Sequence, residues 1–83
     1  MNNVMLLGKF ISVTKSNNQT SYINISISDK TIPVMINNNI SKTIKKYCYL
    51  NDTIGIKGII DIKEDIIIIV AEKISFLQAK RAD

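Results

Sequence analysis

The sequence predicts an all-β protein, a five-stranded Greek-key barrel with one short helix between the third and fourth strands. Three observations support this prediction. Apolar and polar residues alternate over 22–28, and Ile32, Val34 and Ile36 share one face over 31–36, which is the two-residue period of a half-buried strand. Apolar runs nearer the two ends of the chain supply three more strands. Between these regions lies the apolar stripe of a short helix, at Ile40, Ile44, Tyr47 and Cys48.

The first three strands are predicted at 3–12, 22–28 and 31–36. Gly8 interrupts the first strand, and its missing side chain suits a bulge or a sharp coil. A polar turn at Lys15–Gln19 and a tight link at 28–30 join the three strands. Pro33 must point outward, at a position where its missing N–H is not needed.

The second half of the chain is predicted to contain the helix and two long strands. Asn51 and Asp52 end the helix, the fourth strand covers 53–62, and Gly58 marks a second bend. The residues 63–65 form a hairpin turn, and the fifth strand covers 66–77. We expect the core to contain Tyr47, Phe76 and the buried thiol of Cys48. The inward strand positions are Ile23, Ile25, Ile27, Ile32, Val34, Ile36, Ile54 and Ile56.

The length of 83 residues allows one hydrophobic core, so we expect a single domain at 1–77 and a short tail at 78–83. The formal net charge of +4 favours a polyanionic partner. Ten of the eleven cations are lysine, and Arg81 alone has the planar fork that reads base edges, which disfavours sequence-specific binding.

Composition argues against an enzyme and against a metal or cofactor site. The chain has no histidine and a single cysteine, so neither a Cys/His pair nor a four-ligand zinc site is available. The carboxylates of Asp61, Glu64 and Asp65 cluster at a predicted hairpin, where turns normally carry acids. The sequence shows no leader, membrane span or phosphate-binding loop. We therefore expect a cytoplasmic protein without a cofactor or a small-molecule substrate.

Four segments resemble the bacterial single-stranded DNA-binding protein family. The start, 1–10, resembles the family's M-N-x-V-x-L-x-G-R-L, and Ile32-Pro33-Val34 resembles its I-P-V. Residues 40–58 can be laid without a gap on its helix and fourth strand, with Asn51 in place of the glycine that follows the helix. Val70–Leu77 resembles its V-A-x-x-V-x-F-L closure. The order of three strands, a helix and two strands is also that of the oligonucleotide-binding (OB) fold.

The resemblance implies a homo-oligomer, dimeric or tetrameric, that coats single-stranded DNA during replication, recombination or DNA transfer. Two departures change that picture. Thr31 and Asn37 stand where the family typically has aromatic side chains, and the chain has no tryptophan, so binding should be weaker. The sequence shows no acidic tail of the kind the family usually carries, so we expect it to resemble more closely the plasmid, phage or primosomal relatives that keep only the barrel. Separately, its isoleucine-rich composition suggests an AT-rich genome.

Outward parity and position in loops select the candidate binding residues. Tyr22 is the one aromatic that clearly projects from the expected binding face, and Met35 offers a soft apolar contact on the next strand. The full predicted set for nucleic acid is Lys9, Lys15, Tyr22, Asn24, Lys30, Met35, Asn37, Lys57 and Lys63.

Strands one and five are apolar on both faces, so one face of each must be covered from outside the barrel. Self-association is the expected cover, through Val4, Met5, Leu6, Leu7, Ile59, Ile67 and Ile68. Two other functions stay open. The chain could be a degenerate barrel that serves as a protein-interaction subunit, or a barrel that binds single-stranded RNA.

Overall fold

The computed structural model describes residues 2–77, which form five strands and one helix. The predicted tail at 78–83 lies outside the described residues. In chain order the elements are β1 (Asn3–Lys15), β2 (Ser21–Ile27), β3 (Lys30–Ile36), α1 (Asn38–Tyr47), β4 (Thr53–Lys63) and β5 (Ile66–Phe76). The strands close into a barrel in the order β1-β2-β3-β5-β4. The predicted fold class is confirmed, and β1 is three residues longer than expected.

β1 is long enough to pair with two strands. Its first half, Asn3–Lys9, is antiparallel to β4, and its second half, Lys9–Lys15, is antiparallel to β2. β3 and β5 close the barrel as parallel neighbours, and their ladder contains one partner pair within the described residues, Met35 with Val70. β5 therefore leaves most of β3 unpaired on that side. Such an edge tolerates Pro33, which is exposed as predicted.

Two bulges reset which side chains face the core. In β1 the pairing with β2 jumps between Phe10 and Ser12, so Ile11 is the extra residue. The expected bulge at Gly8 is wrong, because the pairing of β1 with β4 runs through Gly8 without a shift. Gly8 is required for a different reason. A Cβ there would lie 2.9 Å from the Ile27 side chain and 2.9 Å from the Ser26 carbonyl oxygen.

The bend expected at Gly58 is confirmed. The pairing of β4 with β5 jumps beside Gly58, which faces Ala71, while Lys57 faces Lys73, so Glu72 is the extra residue. A Cβ on Gly58 would lie 2.2 Å from the Val70 carbonyl oxygen. The backbones of β4 and β5 therefore approach more closely here than any side chain would allow.

The core is built mainly from β-branched side chains, which pack well on pleated strands. Its buried hydrophobic members are Ile23, Ile25, Val34, Ile36, Ile44, Cys48, Ile54, Ile56 and Ala71. Ile27, Ile32 and Phe76 are partly buried against this cluster. The predicted inward positions and the burial of Cys48 are thus confirmed, and each fully buried isoleucine contributes about 1.5–3 kcal/mol of transfer free energy.

The helix begins and ends with identifiable caps. The Asn37 side-chain oxygen accepts a hydrogen bond of 2.8 Å from the Ile40 backbone N–H, which is an N-cap. Cys48 is the C-cap residue, and its N–H donates to the Ile44 carbonyl at 2.9 Å. The helix therefore ends before Asn51 and Asp52, where the sequence predicts its end. Asn51 itself has φ of 69°, the left-handed conformation expected where the family has glycine.

Tyr47 corrects one sequence prediction. It was expected in the core, but its side chain is 55% exposed. The helix ends at Tyr47, and the side chain leaves the buried stripe there. Its ring lies across Phe76, with centroids 6.4 Å apart and planes at 59°. The residue that completes the stripe inside the barrel is Cys48.

Two hairpins turn through a pair of residues with positive φ. Ser28 and Asp29 have φ of 51° and 64°, and Glu64 and Asp65 have φ of 51° and 65°. Positive φ at both central residues is the geometry of the type I′ turn, whose twist matches that of the flanking strands. The second of these hairpins projects beyond the barrel, and its isoleucines are exposed, at Ile60, Ile62, Ile66 and Ile67.

Candidate nucleic-acid interface

The outer surface of β1, β2 and β3 carries nine side chains in three rows, which we call the sheet face. The strand pairings define the rows. The first row is Thr14, Tyr22 and Met35; the second is Ser12, Asn24 and Pro33; the third is Lys9, Ser26 and Thr31. These nine positions include one cation, one aromatic ring and no carboxylate.

The Ile11 bulge creates the β1 column of the sheet face. Without an extra residue, alternation from Lys9 would place Ile11 and Val13 outside. Because a one-residue slip exchanges the two faces of a strand, Ser12 and Thr14 face outward instead, and Val13 packs against the core. Sequence analysis missed these hydroxyls because strand periodicity does not reveal where a bulge falls.

Tyr22 and Met35 occupy one end of the sheet face as directly opposed partners. Both side chains are half-buried. The row continues onto β5, where Val70 is the partner of Met35. An aromatic ring between polar and soft apolar neighbours is a surface on which a base of any identity can stack.

Asn24 holds the middle of the sheet face by hydrogen bonds to β1. Its amide nitrogen donates to the Ser12 hydroxyl at 3.0 Å and, at 3.4 Å, to the Thr14 hydroxyl. The bonds tie β2 to β1 across the outer surface and leave the Asn24 carbonyl oxygen available to a ligand. The middle row is therefore polar and rigid, and it can accept hydrogen bonds from exocyclic amino groups of bases.

Lys9 lies at the other end of the sheet face. It borders a shallow depression that is also lined by Ser26, Ser28, Thr53 and, at the turn, Asp29. The Lys9 ammonium and the hydroxyls can donate hydrogen bonds to a phosphate group, which would bind on the Lys9 side of the depression, away from the Asp29 carboxylate. Ser26 lies four positions beyond Tyr22 on β2, a distance of about 13 Å along a strand. Stacking and phosphate contact can thus act on the same short oligonucleotide.

Two further lysines border the sheet face at opposite ends. Lys15 ends β1 beside the Tyr22 row, and Lys30 begins β3 beside the Lys9 row. Both are exposed, and Asp29 in the adjoining turn is the carboxylate next to Lys30. The border is cationic at both ends of the β2 strand.

Comparisons with known proteins identify the fold of this chain through its structure and not through its sequence. No family model matches the sequence, and no curated protein matches it either. The mitochondrial single-stranded DNA-binding protein Rim1 of S. cerevisiae is similar in structure, with a TM-score of 0.73, 14% identity, and coverage of 93% of this chain and 95% of Rim1. A chain of the Replication Protein A heterotrimer bound to single-stranded DNA has a TM-score of 0.69 at 8% identity. That match covers 95% of this chain and 60% of the other.

The chain has the OB fold. The same barrel occurs in proteins of different activity. Asparaginyl-tRNA synthetase from Pyrococcus horikoshii matches with a TM-score of 0.71 and 16% identity, over 94% of this chain and 19% of the enzyme. The likeness therefore identifies the architecture of this OB fold, while its function must be argued from the side chains on its surface.

The structure separates Lys57 and Lys63 from the other predicted binding residues. Lys57 points outward from β4, opposite Met5 on one side and Lys73 on the other. Lys63 ends β4 at the tip of the projecting hairpin. Lys9, Lys15, Tyr22, Asn24, Lys30 and Met35 lie on or beside the sheet face, as described above.

Asn37 has a structural role that the sequence analysis did not assign to it. Its side-chain oxygen is the N-cap acceptor for α1, so this atom is engaged within the chain. Asn37 directly follows Ile36, the last residue of β3, next to the Tyr22 row. The signal was present in the sequence, because asparagine immediately before a helical stripe is typical of an N-cap.

The residues predicted for self-association lie on β1 and on the β4–β5 hairpin, and they include both inward-facing and outward-facing side chains. On β1, Met5 and Leu7 are exposed, whereas Leu6 packs against the core of its own barrel and Val4 is half-buried. On the β4–β5 hairpin, Ile67 is exposed, and Ile59 and Ile68 are half-buried. Met5 and Leu7, and not Leu6, are thus accessible to a partner on β1.

Residues 2–77 bring no three metal-ligating side chains together. Over the same range, α1 is too short and too polar to cross a membrane.

Proposed function

We propose that this OB fold binds single-stranded DNA without sequence preference on the sheet face. The observation that carries the proposal is the row formed by Thr14, Tyr22 and Met35, with Lys9 beside Ser26 in the row that lies about 13 Å further along the sheet face. One aromatic platform and flanking ammonium groups match the way sequence-tolerant proteins hold an unpaired strand. The scarcity of arginine on the chain agrees with the lack of base-edge readout.

The proposed contacts are of two kinds, contacts to bases and contacts to phosphates. Tyr22 stacks on a base, Met35 supports the neighbouring base, and Asn24 accepts a hydrogen bond in the middle row. Lys9, Lys15 and Lys30 neutralise phosphates along the border. With one ring on the sheet face, binding is weaker than in proteins that stack several bases, since each stacked base contributes roughly 1–3 kcal/mol. The cellular processes to which we assign this activity are replication, recombination or DNA transfer.

We also propose that the protein is a homo-oligomer. Several large side chains project into solvent, with Met5 exposed by 79% and Ile67 by 70%. Exposed apolar clusters of this kind favour association with a second copy. Light scattering on the purified protein measures the mass directly, and a monomer at working concentrations would contradict the proposal.

The experiment for the DNA proposal is a fluorescence-anisotropy titration with thymidine oligomers at two salt concentrations. We expect salt-sensitive binding that Tyr22→Ala weakens by roughly 5- to 150-fold, the equivalent of losing one stacked base. Tyr22→Phe is the matched control, because it keeps the ring and should keep most of the affinity. An absence of binding by the wild type would contradict the proposal, and a strong preference for uridine oligomers would assign the site to RNA instead.

A further inference from the structure

The exposed side of α1 carries a second group of cationic and aromatic side chains, which we call the helix surface. It consists of Asn39, Lys42, Thr43, Lys46 and Tyr47, which line one shallow depression. Neither the sequence analysis nor the sheet face accounts for it. The depression is open to solvent and lies on a different element from the proposed binding site.

Lys42 and Lys46 repel each other within this surface. They stand at positions i and i+4, one turn apart and about 6 Å along the helix axis. Like charges at this spacing destabilise a helix. The chain from Lys30 to Asn51 contains no carboxylate that would relieve the repulsion. A bound polyanion would relieve it.

The carboxylates of neighbouring elements do not line the helix surface. Asp52 is buried and accepts a hydrogen bond of 2.9 Å from the Tyr49 backbone N–H. Glu72, the bulge residue of β5, borders an adjoining depression between α1 and β5, which shares Asn39 and Thr43 with the helix surface and where Lys73 is also present. The helix surface itself is therefore lined by two ammonium groups and no acid.

Tyr47 gives the helix surface a fixed ring. The ring is tilted against that of Phe76, and the Lys46 ammonium nitrogen lies over the Tyr47 ring, 5.5 Å from its centroid, so a base that stacks there would displace the ammonium toward a phosphate. An exposed tyrosine held in place beside two lysines combines a stacking platform with phosphate-neutralising charge. This is the same pairing of chemistries that the sheet face offers through Tyr22 and Lys9.

The chain passes directly from the Tyr22 end of the sheet face into α1. Met35 lies one residue before the end of β3, and the cap residue Asn37 leads from β3 directly into α1. A single-stranded nucleic acid that passes over Tyr22 and Met35 in this direction therefore reaches the start of α1. Lys15, at the end of β1, lies beside the same row.

We propose that a single strand longer than the sheet face continues onto the helix surface, with phosphates at Lys42 and Lys46 and a base against Tyr47. This inference rests on the proposed function of the sheet face. An acidic peptide would satisfy the two lysines, but the fixed ring and the continuity with the Tyr22 row favour a nucleic acid.

The test compares thymidine oligomers of about 6 and about 20 nucleotides, lengths that fall within and beyond the site size of one OB fold. The variant is Lys42→Gln with Lys46→Gln. The matched control is Lys57→Gln with Lys63→Gln, which removes the same charge from β4, away from both the sheet face and the helix surface. Thermal unfolding of both variants verifies that they fold.

We expect the helix variant to bind the short oligomer like the wild type and to bind the long oligomer more weakly. For the long oligomer, the slope of log affinity against log salt should fall by about 1.4, because each lost phosphate contact on a single strand removes about 0.7. The control pair should leave the slope unchanged for both lengths.

Two results would overturn the inference and leave the proposed function intact. One is an unchanged slope for the long oligomer in the helix variant, and the other is an equal fall in the control pair, provided that Tyr22→Ala still weakens binding of the short oligomer. If Tyr22→Ala has no effect on the short oligomer, the sheet-face proposal itself fails.

Discussion

Tyr22 on β2 and Met35 on β3 are directly opposed across two antiparallel strands, on the outer surface of a barrel whose interior is almost entirely aliphatic. Cross-strand pairs of this kind contribute roughly 0.2–1 kcal/mol to sheet stability. The pair therefore has two roles that measurement can separate, one in the fold and one in ligand binding.

The first prediction concerns coupling within this pair. Met35→Ala should weaken binding of a thymidine oligomer less than Tyr22→Ala does, because methionine has no ring to stack on a base. The loss of binding free energy in the double variant should be smaller than the sum of the losses in the two single variants, because the removal of either side chain disturbs the position of the other. Anisotropy titrations of the four proteins measure this, and strict additivity would show that the two side chains act separately.

The second prediction concerns the glycines of β4. Gly58→Ala should lower the free energy of unfolding by about 3 kcal/mol or more, because its Cβ would lie 2.2 Å from the Val70 carbonyl oxygen. Gly55→Ala is the matched control on the same strand, where the nearest atom would be 3.8 Å away. The control should be neutral or stabilising, since alanine restricts the unfolded chain. Urea unfolding of both variants gives the comparison, and equal effects would contradict it.

The third prediction concerns the cap of α1. Asn37→Ala should lower the free energy of unfolding by about 1 kcal/mol, because it removes the acceptor for the Ile40 backbone N–H. Asn37→Ser should restore most of the loss, since serine is an equally good N-cap. Asn38→Ala, one residue further into the helix, should stay within about 0.5 kcal/mol of the wild type. Thermal unfolding measures all three, and a failure of serine to rescue would argue against the cap.

The fourth prediction concerns self-association through the projecting hairpin. Ile62→Lys should lower the mass measured by light scattering, because it places a charge in the exposed isoleucine cluster. Leu50→Lys is the matched control, since both side chains are 65% exposed and Leu50 lies beyond the other end of the barrel, after α1. The control should leave the mass unchanged. A fall in mass with Leu50→Lys alone would move the interface to the helix end.

The bulges show where sequence analysis reached its limit. Alternation predicted the core of β2, β3 and β4 because those segments keep a two-residue period, and Ile23, Val34 and Ile54 are buried as expected. The period of β1 breaks at Ile11, and that of β5 breaks at Glu72. Adjacent apolar residues at 10–11 and adjacent polar residues at 72–73 mark both breaks in the sequence, but the pairing with another strand decides which residue is the extra one.

The helix shows the same division. The stripe and the left-handed Asn51 were predicted from local rules, which depend on residues within a few positions of one another. The exposure of Tyr47 was not predicted, because it depends on the position of Phe76 in β5, with which the Tyr47 ring is in contact.

By itself, the sequence determined the five strands, the helix between β3 and β4, the isoleucine core and the outward position of Tyr22, because hydrophobic period and local backbone preference specify each of these. The tertiary structure decided which side chains share a surface. It placed Ser12 and Thr14 beside Tyr22, moved Lys57 to another side of the barrel, and gathered Lys42, Lys46 and Tyr47 on α1. The physical reason is that strand register and bulges are settled by contacts between distant segments, whereas alternation and capping are settled within one segment.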